Sequence, residues 1–393
     1  MAELERLHGT ENTKWFSDES AVIDTGAFNF EQLGGSLKAG KVVMELNGNW
    51  GDTSRAIVEH YLKAWGISKG KVTLGISAYG FKATARDIQK TGIILKQQLK
   101  NNKVSLRLIP NSYPALNTAT SHHNKLGLAP NKIELLAVRA GNGAIMVAES
   151  VGAQNITALA ARDQARPHTD AFVGMLPPKL ARIMVNLSGI KKGTILDPFC
   201  GTGVVLQEAL LLGYNAHGAD INPKMVNYAS GNLEWLRKKY EHIWDYNHGV
   251  HLADATKDVW MSSQAVKDKN DNPFDAKLIP LRINAIVSEA YLGQPFSAPP
   301  KPEKLAEVRG NCNHIISEFL KNAAQQVKKG TPVVLAVPAW RDKQGNFTHL
   351  PLVSNLSKLG FERIKLNRVR NDELLYYRES QVVAREILIL VKK

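Results

Sequence analysis

The stretch from Thr194 to Ile221 (TILDPFCGTGVVLQEALLLGYNAHGADI) limits the choice of fold more than any other part of the chain. Its first residues are apolar and end on Asp197, and Gly201 and Gly203 then allow a sharp backbone turn close to a ligand. Apolar residues at helical spacing follow, and a second strand ends on Asp220. In doubly wound sheets an acid at that place hydrogen-bonds a ribose diol. The stretch therefore predicts a βαβ unit that binds a cofactor containing adenosine.

The residues around the turn indicate which cofactor. A nicotinamide dinucleotide site has the pattern G-x-G-x-x-G, but Leu206 stands where its third glycine would be. The carboxylate of Asp197 would repel a pyrophosphate, whereas it would attract the amino group of S-adenosyl-L-methionine, which carries no phosphate. The sequence D-P-F-C-G-T-G (residues 197–203) resembles the first motif of class I methyltransferases. We therefore expect S-adenosyl-L-methionine as the cofactor; a buried βαβ unit without a ligand is the alternative.

Composition sets the expected compartment. The 393 residues suit two or three domains, and a hydrophobic content of 44% is enough for full cores. No apolar run is long enough to span a bilayer, and the polar first twenty residues do not resemble a secretory signal. The two cysteines are too few for a disulfide framework or a zinc site. These features predict a cytoplasmic protein with no membrane partner and no metal.

The positive charge is concentrated in one part of the chain. The net charge is +14, and residues 71–140 contain eleven Lys or Arg against two acids, Asp87 and Glu134, a net charge of +9. Such a concentration favours a polyanionic partner, because each neutralised phosphate releases counterions. A nucleic acid is the expected partner, with a solvated basic face as the alternative. The candidate RNA-binding residues are Lys82, Arg86, Lys90, Lys96, Lys125 and Arg166.

Three stretches resemble the THUMP-containing tRNA guanosine-N2 methyltransferases: Arg162 to Pro167 (RDQARP), Gly174 to Leu187 (GMLPPKLARIMVNL) and Asp197 to Gly203 (DPFCGTG). The resemblance covers nearly the whole chain and is strongest from about residue 120 to 230. It implies an α/β protein whose class I, Rossmann-like methyltransferase domain has a mostly parallel seven-stranded sheet and follows an α+β RNA-binding region. The implied limits are 1–65 for a ferredoxin-like region, 66–165 for a THUMP-like domain, 166–178 for a linker and 179–393 for the methyltransferase domain.

The resemblance also implies cofactor-binding residues at the ends of the first four strands of that domain. Asp254 would bond the adenine amino group and Ala255 would offer its backbone amide, although Asp254 taken alone is as well explained as a turn residue. The full set is Asp197, Phe199, Gly201, Thr202, Gly203, Asp220, Ile221, Asp254, Ala255 and Ser288.

The fourth strand, predicted at residues 283–287, carries the expected chemistry. In amino-methyltransferases of this type the strand ends in Asp/Asn-Pro-Pro-Tyr/Phe, whereas this chain has Ser288-Glu289-Ala290-Tyr291-Leu292-Gly293, without either proline. Our hypothesis is that Glu289 and the Ala290 carbonyl accept the two N–H groups of the target amine, which frees its delocalised lone pair. Tyr291 would then stack on the base. The alternative is that Glu289 is a strand-end acid without a catalytic role.

These features predict an RNA methyltransferase that uses S-adenosyl-L-methionine to methylate the exocyclic N2 amine of a guanosine in tRNA, with the THUMP-like domain binding the RNA. Three alternatives stay open: an amino-methyltransferase acting on DNA or another RNA, a catalytically impaired protein that binds the cofactor and RNA, and a nicotinamide oxidoreductase, which the missing third glycine disfavours. The family includes enzymes that need a small activator subunit and enzymes that act alone. The sequence does not choose between an activated complex and a monomer.

Overall fold

The computed structural model describes residues 1–65, 71–170, 175–267 and 273–393, which form two compact units. The first unit holds Met1 and Glu11–Ala160, and the second holds Ala2–Thr10 and Ala161–Lys393. Helix α1 (Ala2–His8) therefore belongs to the second unit. The predicted boundary between residues 65 and 66 coincides with the end of the described range 1–65. Residues 171–174 of the predicted linker lie outside the described residues.

The first unit is an α+β structure built on a mixed sheet. Within the described residues, five strands follow the order β3-β7-β6-β4-β5, and β1 and β2 form a separate antiparallel pair. The sheet draws strands from both of the predicted N-terminal regions, because β3 pairs with β7 along its length. The elements are β1 (Thr13–Ser17), β2 (Ser20–Ile23), β3 (Lys38–Asn47), α2 (Trp50–Trp65), β4 (Lys71–Tyr79), α3 (Ala85–Asn101), β5 (Ser105–Leu108), α4 (Thr118–His123), β6 (Lys132–Arg139), β7 (Ala144–Ala153) and α5 (Ile156–Gln164), which crosses into the second unit.

Helix α3 shows why the sequence specifies this layer. Thr84 and Asp87 form a capping box at its start, in which each side chain accepts a hydrogen bond from the other's backbone N–H. Its buried stripe of Ile88, Leu95 and Leu99 packs in the same cluster as the inward residues of β4. The lysines and the arginine of the helix lie on its exposed face.

The second unit contains a larger, mostly parallel sheet with helices on both faces. Its helices are α6 (Pro178–Leu187), α7 (Val204–Leu211), α8 (Pro223–Lys239) and α9 (Pro302–Gln326). Its strands are β8 (Thr194–Asp197), β9 (Asn215–Asp220), β10 (His248–Leu252), β11 (Met261–Lys267), β12 (Pro273–Pro280), β13 (Ala285–Glu289), β14 (Pro332–Arg341), β15 (Phe347–Thr348), β16 (Phe361–Arg363), β17 (Leu375–Tyr376) and β18 (Val383–Lys392).

The order of this sheet confirms the fold predicted from the sequence. The main path is β10-β9-β8-β13-β14-β18-β16, and the five strands from β10 to β14 are parallel to one another. Strand β18 alone on this path is reversed, since it pairs antiparallel with both β14 and β16. The short strands β15 and β17 add to β14 and β18. The predicted α/β fold with a mostly parallel sheet is therefore confirmed; counted over the described ranges, the sheet has nine strands, seven of them on its main path.

The limits of three strands bear on the position of the site. Strand β13 begins at Ala285 rather than 283, because Asn284 is used to bind the backbone of Thr194 through both its N–H and its side chain, and it runs on to Glu289. Strand β14 extends to Arg341, because β18 continues to pair with it there. Strand β10 ends at Leu252, two residues before Asp254.

Two hydrophobic clusters cover the two faces of the large sheet. One contains α6, α7 and α8, and the other contains α9, which supplies Ile316, Phe319 and Leu320. The antiparallel pair β11–β12 occupies the chain between β10 and β13. In the described ranges, no helix is both long enough and apolar enough to cross a membrane.

Candidate active site

The site lies where the strand order of the large sheet changes direction. From β8 the chain proceeds outward to β9 and β10 on one side, and β13 and β14 lie on the other side. In such sheets a crevice opens at the carboxyl ends of the two strands that flank this point. Asp197 ends β8, Asp220 ends β9 and Glu289 ends β13. The structure thus brings the three predicted acids to one edge of the sheet.

The turn after β8 needs its glycines. Gly201 has φ +50° and Gly203 has φ +81°, both in the left-handed region that favours glycine. Gly203 is also the N-cap of α7, and a Cβ there would lie 3.2 Å from the Cβ of Ala229. The N–H of Cys200 donates to the carbonyl of Ala219 at 2.9 Å, which ties the turn to β9. The turn is consequently compact and presents backbone groups at the crevice.

Asp197 is a buried acid, and hydrogen bonds from Ser288 and Phe199 stabilise its charged form. It is 2% exposed, and its Oδ1 accepts hydrogen bonds from the Ser288 hydroxyl at 2.5 Å and the Phe199 N–H at 3.2 Å. Burial raises the pKa of Asp197 to about 7, the two hydrogen bonds oppose that rise, and the charges of Asp220 and Glu289 add to it. A cation placed beside this carboxyl would therefore be strongly attracted. Ser288, one of the predicted cofactor residues, is placed against Asp197.

Asp220 holds the turn and the start of the next helix together. Its Oδ2 accepts from the Gly201 N–H and its Oδ1 from the Asn222 N–H, both at 2.9 Å. Burial raises the pKa of Asp220, while these two hydrogen bonds lower it. A carboxylate oxygen has two lone pairs, so each can still accept a hydroxyl from a ligand. The next residue, Ile221, is 69% exposed.

The other predicted residues of the turn face the protein. The ring of Phe199 packs edge-on against Phe319 at 5.2 Å between centroids. Thr202 is 6% exposed, and its carbonyl accepts a hydrogen bond from the side chain of Asn232 at 2.9 Å. Both residues therefore pack within the turn, and their contacts with the cofactor stay a prediction.

Asn232 is a site residue that the sequence analysis missed. It is fully buried in α8. Besides Thr202, its side chain binds both the N–H and the carbonyl of His168 in the predicted linker, at 3.0 and 2.9 Å. The ring of His168 stacks on Tyr228 at 4.8 Å. Asn232 therefore holds the linker residue His168 against the glycine turn. An amide in the middle of a helix carries no recognisable signal in a single sequence.

Asp254 and Ala255 lie in a tight turn beyond β10. Oδ1 of Asp254 accepts from the N–H and hydroxyl of Thr256 at 2.9 and 2.6 Å, and these bonds lower the pKa of Asp254. The Ala255 carbonyl accepts from Asn322 at 2.9 Å. The geometry accounts for Asp254 as a turn residue, with Oδ2, 3.3 Å from the ammonium of Lys257, as its remaining acceptor. The adenine contact stays a prediction.

Glu289 forms a buried ion pair with Arg385 of β18, a partner that the sequence analysis did not identify. The Arg385 Nε donates to Oε1 of Glu289, and the two side chains are 9% and 15% exposed. Burial raises the pKa of Glu289, and the Arg385 charge opposes that rise. The available signal was the charged pair Arg385-Glu386 inside the otherwise apolar β18. The sequence alone could not show which acid Arg385 would meet.

The residues after Glu289 change from buried to exposed. Ala290 is 3% exposed, and its N–H donates to the Ala336 carbonyl at 3.0 Å, which continues the pairing of β13 with β14. Tyr291 is 42% exposed. An aromatic ring with that exposure, directly beyond the strand that carries Glu289, is placed where a base could stack on it.

The predicted RNA-binding residues do not form one surface. Lys82, Arg86, Lys90 and Lys96 are all exposed on α3 or just before it. Lys125 is exposed but follows α4, which lies on the other face of the small sheet: Leu74 and Ile76 pack toward α3, whereas Gly75 faces Leu116 and Leu126.

The assignment of Arg166 to an RNA contact is corrected by its burial. Arg166 is 4% exposed, and its Nη2 lies 2.8 Å from the sulfur of Met175. A guanidinium so enclosed cannot reach a phosphate in this structure, and it is left out of the proposed interface. A count of charges in the sequence does not reveal this burial.

The residues at the crevice fit a cationic methyl donor better than a phosphate. Asp197, Asp220 and Glu289 all place carboxylates at the edge, and the guanidinium of Arg385 is already paired with one of them. A pyrophosphate would meet this negative charge directly, whereas an ammonium and a sulfonium would be attracted by it. Ribose hydroxyls suit the remaining lone pairs of Asp220.

Comparison with known proteins confirms the resemblance found in the sequence. A family described as DNA methylase matches residues 77–231, and a family described as D12 class N6 adenine-specific DNA methyltransferase matches residues 179–285. A tRNA (guanine(10)-N2)-dimethyltransferase from Methanothermobacter thermautotrophicus is 35% identical over 184 residues, which are 46% of this chain and 44% of that protein.

Two further relatives carry the same name. The protein from Methanocaldococcus jannaschii is 50% identical over 72 residues, 18% of this chain and 20% of its own length. The protein from Pyrococcus abyssi is 48% identical over 82 residues, 21% and 22% of the two chains. The chain thus spans less than half the length of these curated relatives. Among solved structures, TrmN from Thermus thermophilus matches with a TM-score of 0.48 at 15% identity, over 95% of this chain and 89% of that one.

Proposed function

We propose that this chain is a methyltransferase that uses S-adenosyl-L-methionine to methylate the exocyclic N2 amine of a guanosine in tRNA. The observation that carries the proposal is the buried Asp197 beneath the glycine turn, on the same sheet edge as Glu289. The names of the relatives support the choice of tRNA and of the guanosine amine. The domain limits, the site roles and the cytoplasmic location expected from the sequence belong to this proposal.

The donor would be held by the residues of the first two strand ends. S-adenosyl-L-methionine, when bound, supplies an electrophilic methyl group on a sulfonium. Asp197 binds the ammonium of the methionine part, because a cation there relieves the cost of the buried carboxylate. Asp220 accepts the ribose hydroxyls, and the exposed Ile221 covers the adenine. Asn232 and Ser288 position this group without touching the donor.

The target amine would be held by the end of β13. The lone pair of an exocyclic amine is delocalised into the ring, so its N–H groups need acceptors before the nitrogen can attack. Arg385 binds Oε1 of Glu289, which leaves Oε2 to accept one N–H, and the Ala290 carbonyl accepts the other. The exposed ring of Tyr291 stacks on a base taken out of its helix. The basic face of α3 binds the RNA backbone.

The test is methyl transfer from a labelled donor to tRNA, rRNA and duplex DNA, followed by digestion to nucleosides. We expect label in N2-methylguanosine from tRNA, and activity of the purified chain alone would show that no activator subunit is required. Glu289→Gln keeps the donor affinity and loses transfer, while Asp197→Asn loses the donor affinity itself. Label in no nucleic acid, with or without added cell extract, would contradict the proposal.

A DNA amino-methyltransferase is the second candidate. It is favoured by the two family descriptions, both of which name DNA methylation. The same acceptors at the end of β13 would serve an adenine or cytosine amine. Label in N6-methyladenine or N4-methylcytosine from DNA, with none in tRNA, would establish this candidate in place of the first.

A further inference from the structure

We propose that an unpaired nucleotide of the RNA, next to the target, stacks on a platform formed by Tyr377, Phe347 and Arg341. The inference rests on the proposed function, since it adds a second RNA contact to the same enzyme. The platform, defined by these three residues, lies beside the ribbon of β14 and β18: Arg341 ends β14, Phe347 belongs to β15, which pairs with β14, and Tyr377 follows β17, which pairs with β18.

The ribbon projects beyond the edge of the sheet that carries Glu289. Ala336 of β14 is level with Glu289, and β14 continues to Arg341. At about 3.3 Å per residue these five residues extend about 16 Å past the end of β13. Pairing with β18 and with β15 keeps this extension in place. The platform therefore stands on the same side of the sheet edge as the proposed target amine.

The three side chains of the platform are assembled but not buried in a core. The ring centroids of Phe347 and Tyr377 are 5.1 Å apart, and the guanidinium carbon of Arg341 lies 5.2 Å from the Tyr377 centroid. Tyr377 is 40% exposed, while its neighbour Tyr376 packs against the large sheet's core. Arg341 is anchored by a hydrogen bond from Nη1 to the Glu379 carbonyl at 3.1 Å. An exposed ring flanked by an anchored cation offers a π-face at little conformational cost.

The chemistry of the platform fits a nucleotide. Every base has a π-face that can stack on tyrosine, and the guanidinium can meet the phosphate of the same nucleotide. Exposed Lys343 and Arg378 flank the platform and add positive charge. The nearby Asp342 is occupied within its own loop, where it accepts hydrogen bonds from Gln344 and Asn346. The platform lies on the same side of the sheet edge as Tyr291, so one RNA strand can contact both.

The test compares Tyr377→Ala with Tyr377→Phe, which keeps the ring. A matched control is Trp244→Ala, which removes a ring that is 58% exposed in the loop before β10, at the opposite edge of the sheet. We expect Tyr377→Ala to raise the KM for tRNA about tenfold, the effect of one lost base stack. Its kcat and its affinity for S-adenosylhomocysteine stay within twofold of the parent protein, which shows an intact fold. Tyr377→Phe and Trp244→Ala leave the KM within twofold.

Direct binding separates the inference from the proposed function. The affinity for fluorescent tRNA is measured by anisotropy, without any turnover, for the same variants. A parent protein that transfers no methyl group contradicts the proposed function, whatever the anisotropy shows. Equal tRNA affinity of the parent and Tyr377→Ala overturns the platform, even if methyl transfer occurs. A loss of tRNA affinity equal in Tyr377→Phe and Tyr377→Ala also overturns stacking as its basis.

Discussion

Binding of the donor should depend steeply on pH below neutrality, because of Asp197. In the free protein, burial raises the pKa of this carboxyl from 3.8 to about 7. At about 1.4 kcal/mol per pKa unit, this difference corresponds to roughly 4 kcal/mol in favour of the protonated form. An ammonium beside Asp197 binds the carboxylate and not the acid. Below pH 7 the donor must therefore displace a proton before it can bind.

The expected result is a Kd that increases about tenfold for each pH unit below 7 and changes little between pH 7 and 7.5. The measurement is calorimetric titration with S-adenosylhomocysteine, the stable demethylated product, from pH 5 to 7.5. The titrations should also release protons at pH 6, so the observed heat should change with the ionisation enthalpy of the buffer. Asp197→Asn should bind weakly, with no pH dependence over this range. A Kd that is constant from pH 5 to 7, or tight binding by Asp197→Asn, would refute the reasoning.

The same carboxyl predicts the pH dependence of folding stability. Because its pKa is raised in the folded protein, the stability it contributes is complete below about pH 4 and is lost as the pH rises through about 7. Relative to the parent protein, Asp197→Asn should therefore gain up to about 4 kcal/mol between pH 4 and pH 8. Chemical denaturation at the two pH values measures this difference. If Asp197→Asn is less stable than the parent by the same amount at pH 4 and pH 8, the pKa of Asp197 is not raised by burial.

Three further outcomes follow from the geometry. Replacing Arg385 with Gln leaves Glu289 buried without its cation, which should cost about 3–5 kcal/mol in chemical denaturation, and the Glu289→Gln/Arg385→Gln double variant should recover part of that loss. Additive losses would contradict the coupling. Gly203→Ala forces a non-glycine residue into the left-handed backbone region, which should cost about 1–2 kcal/mol of folding stability, and it should abolish donor binding measured by calorimetry. Retained donor affinity would show that the glycine turn does not form the donor site. Arg86→Glu with Lys90→Glu should weaken tRNA binding and reduce its salt dependence, whereas an unchanged slope of log Kd against log salt would exclude α3 as the interface.

Much of the large sheet was predictable from local patterns. The βαβ unit between Thr194 and Asp220 has apolar strands, a glycine turn and a largely apolar helix, so its elements follow from the sequence. These features depend on residues close in the chain, where propensity and turn chemistry decide.

What the sequence could not supply are contacts between distant residues. Arg162 and Arg182, both within stretches that resemble the tRNA methyltransferases, meet the buried Glu208 of α7 at 2.5 and 2.7 Å. Arg385 meets Glu289 across 96 residues of chain. A single sequence shows each charge but not its partner, since pairing is settled by the packing of the sheet. For the same reason the burial of Arg166 and the separation of Lys125 from α3 were not foreseen.

One nucleoside digest decides the account as a whole. Unmodified tRNA transcripts are incubated with the purified chain and donor labelled in its methyl group, and the products are separated as nucleosides. We predict that the label is recovered in N2-methylguanosine, and that Glu289→Gln abolishes it while S-adenosylhomocysteine still binds. Label in another nucleoside, or equal labelling by Glu289→Gln, would contradict the assignment of the target amine to the end of β13.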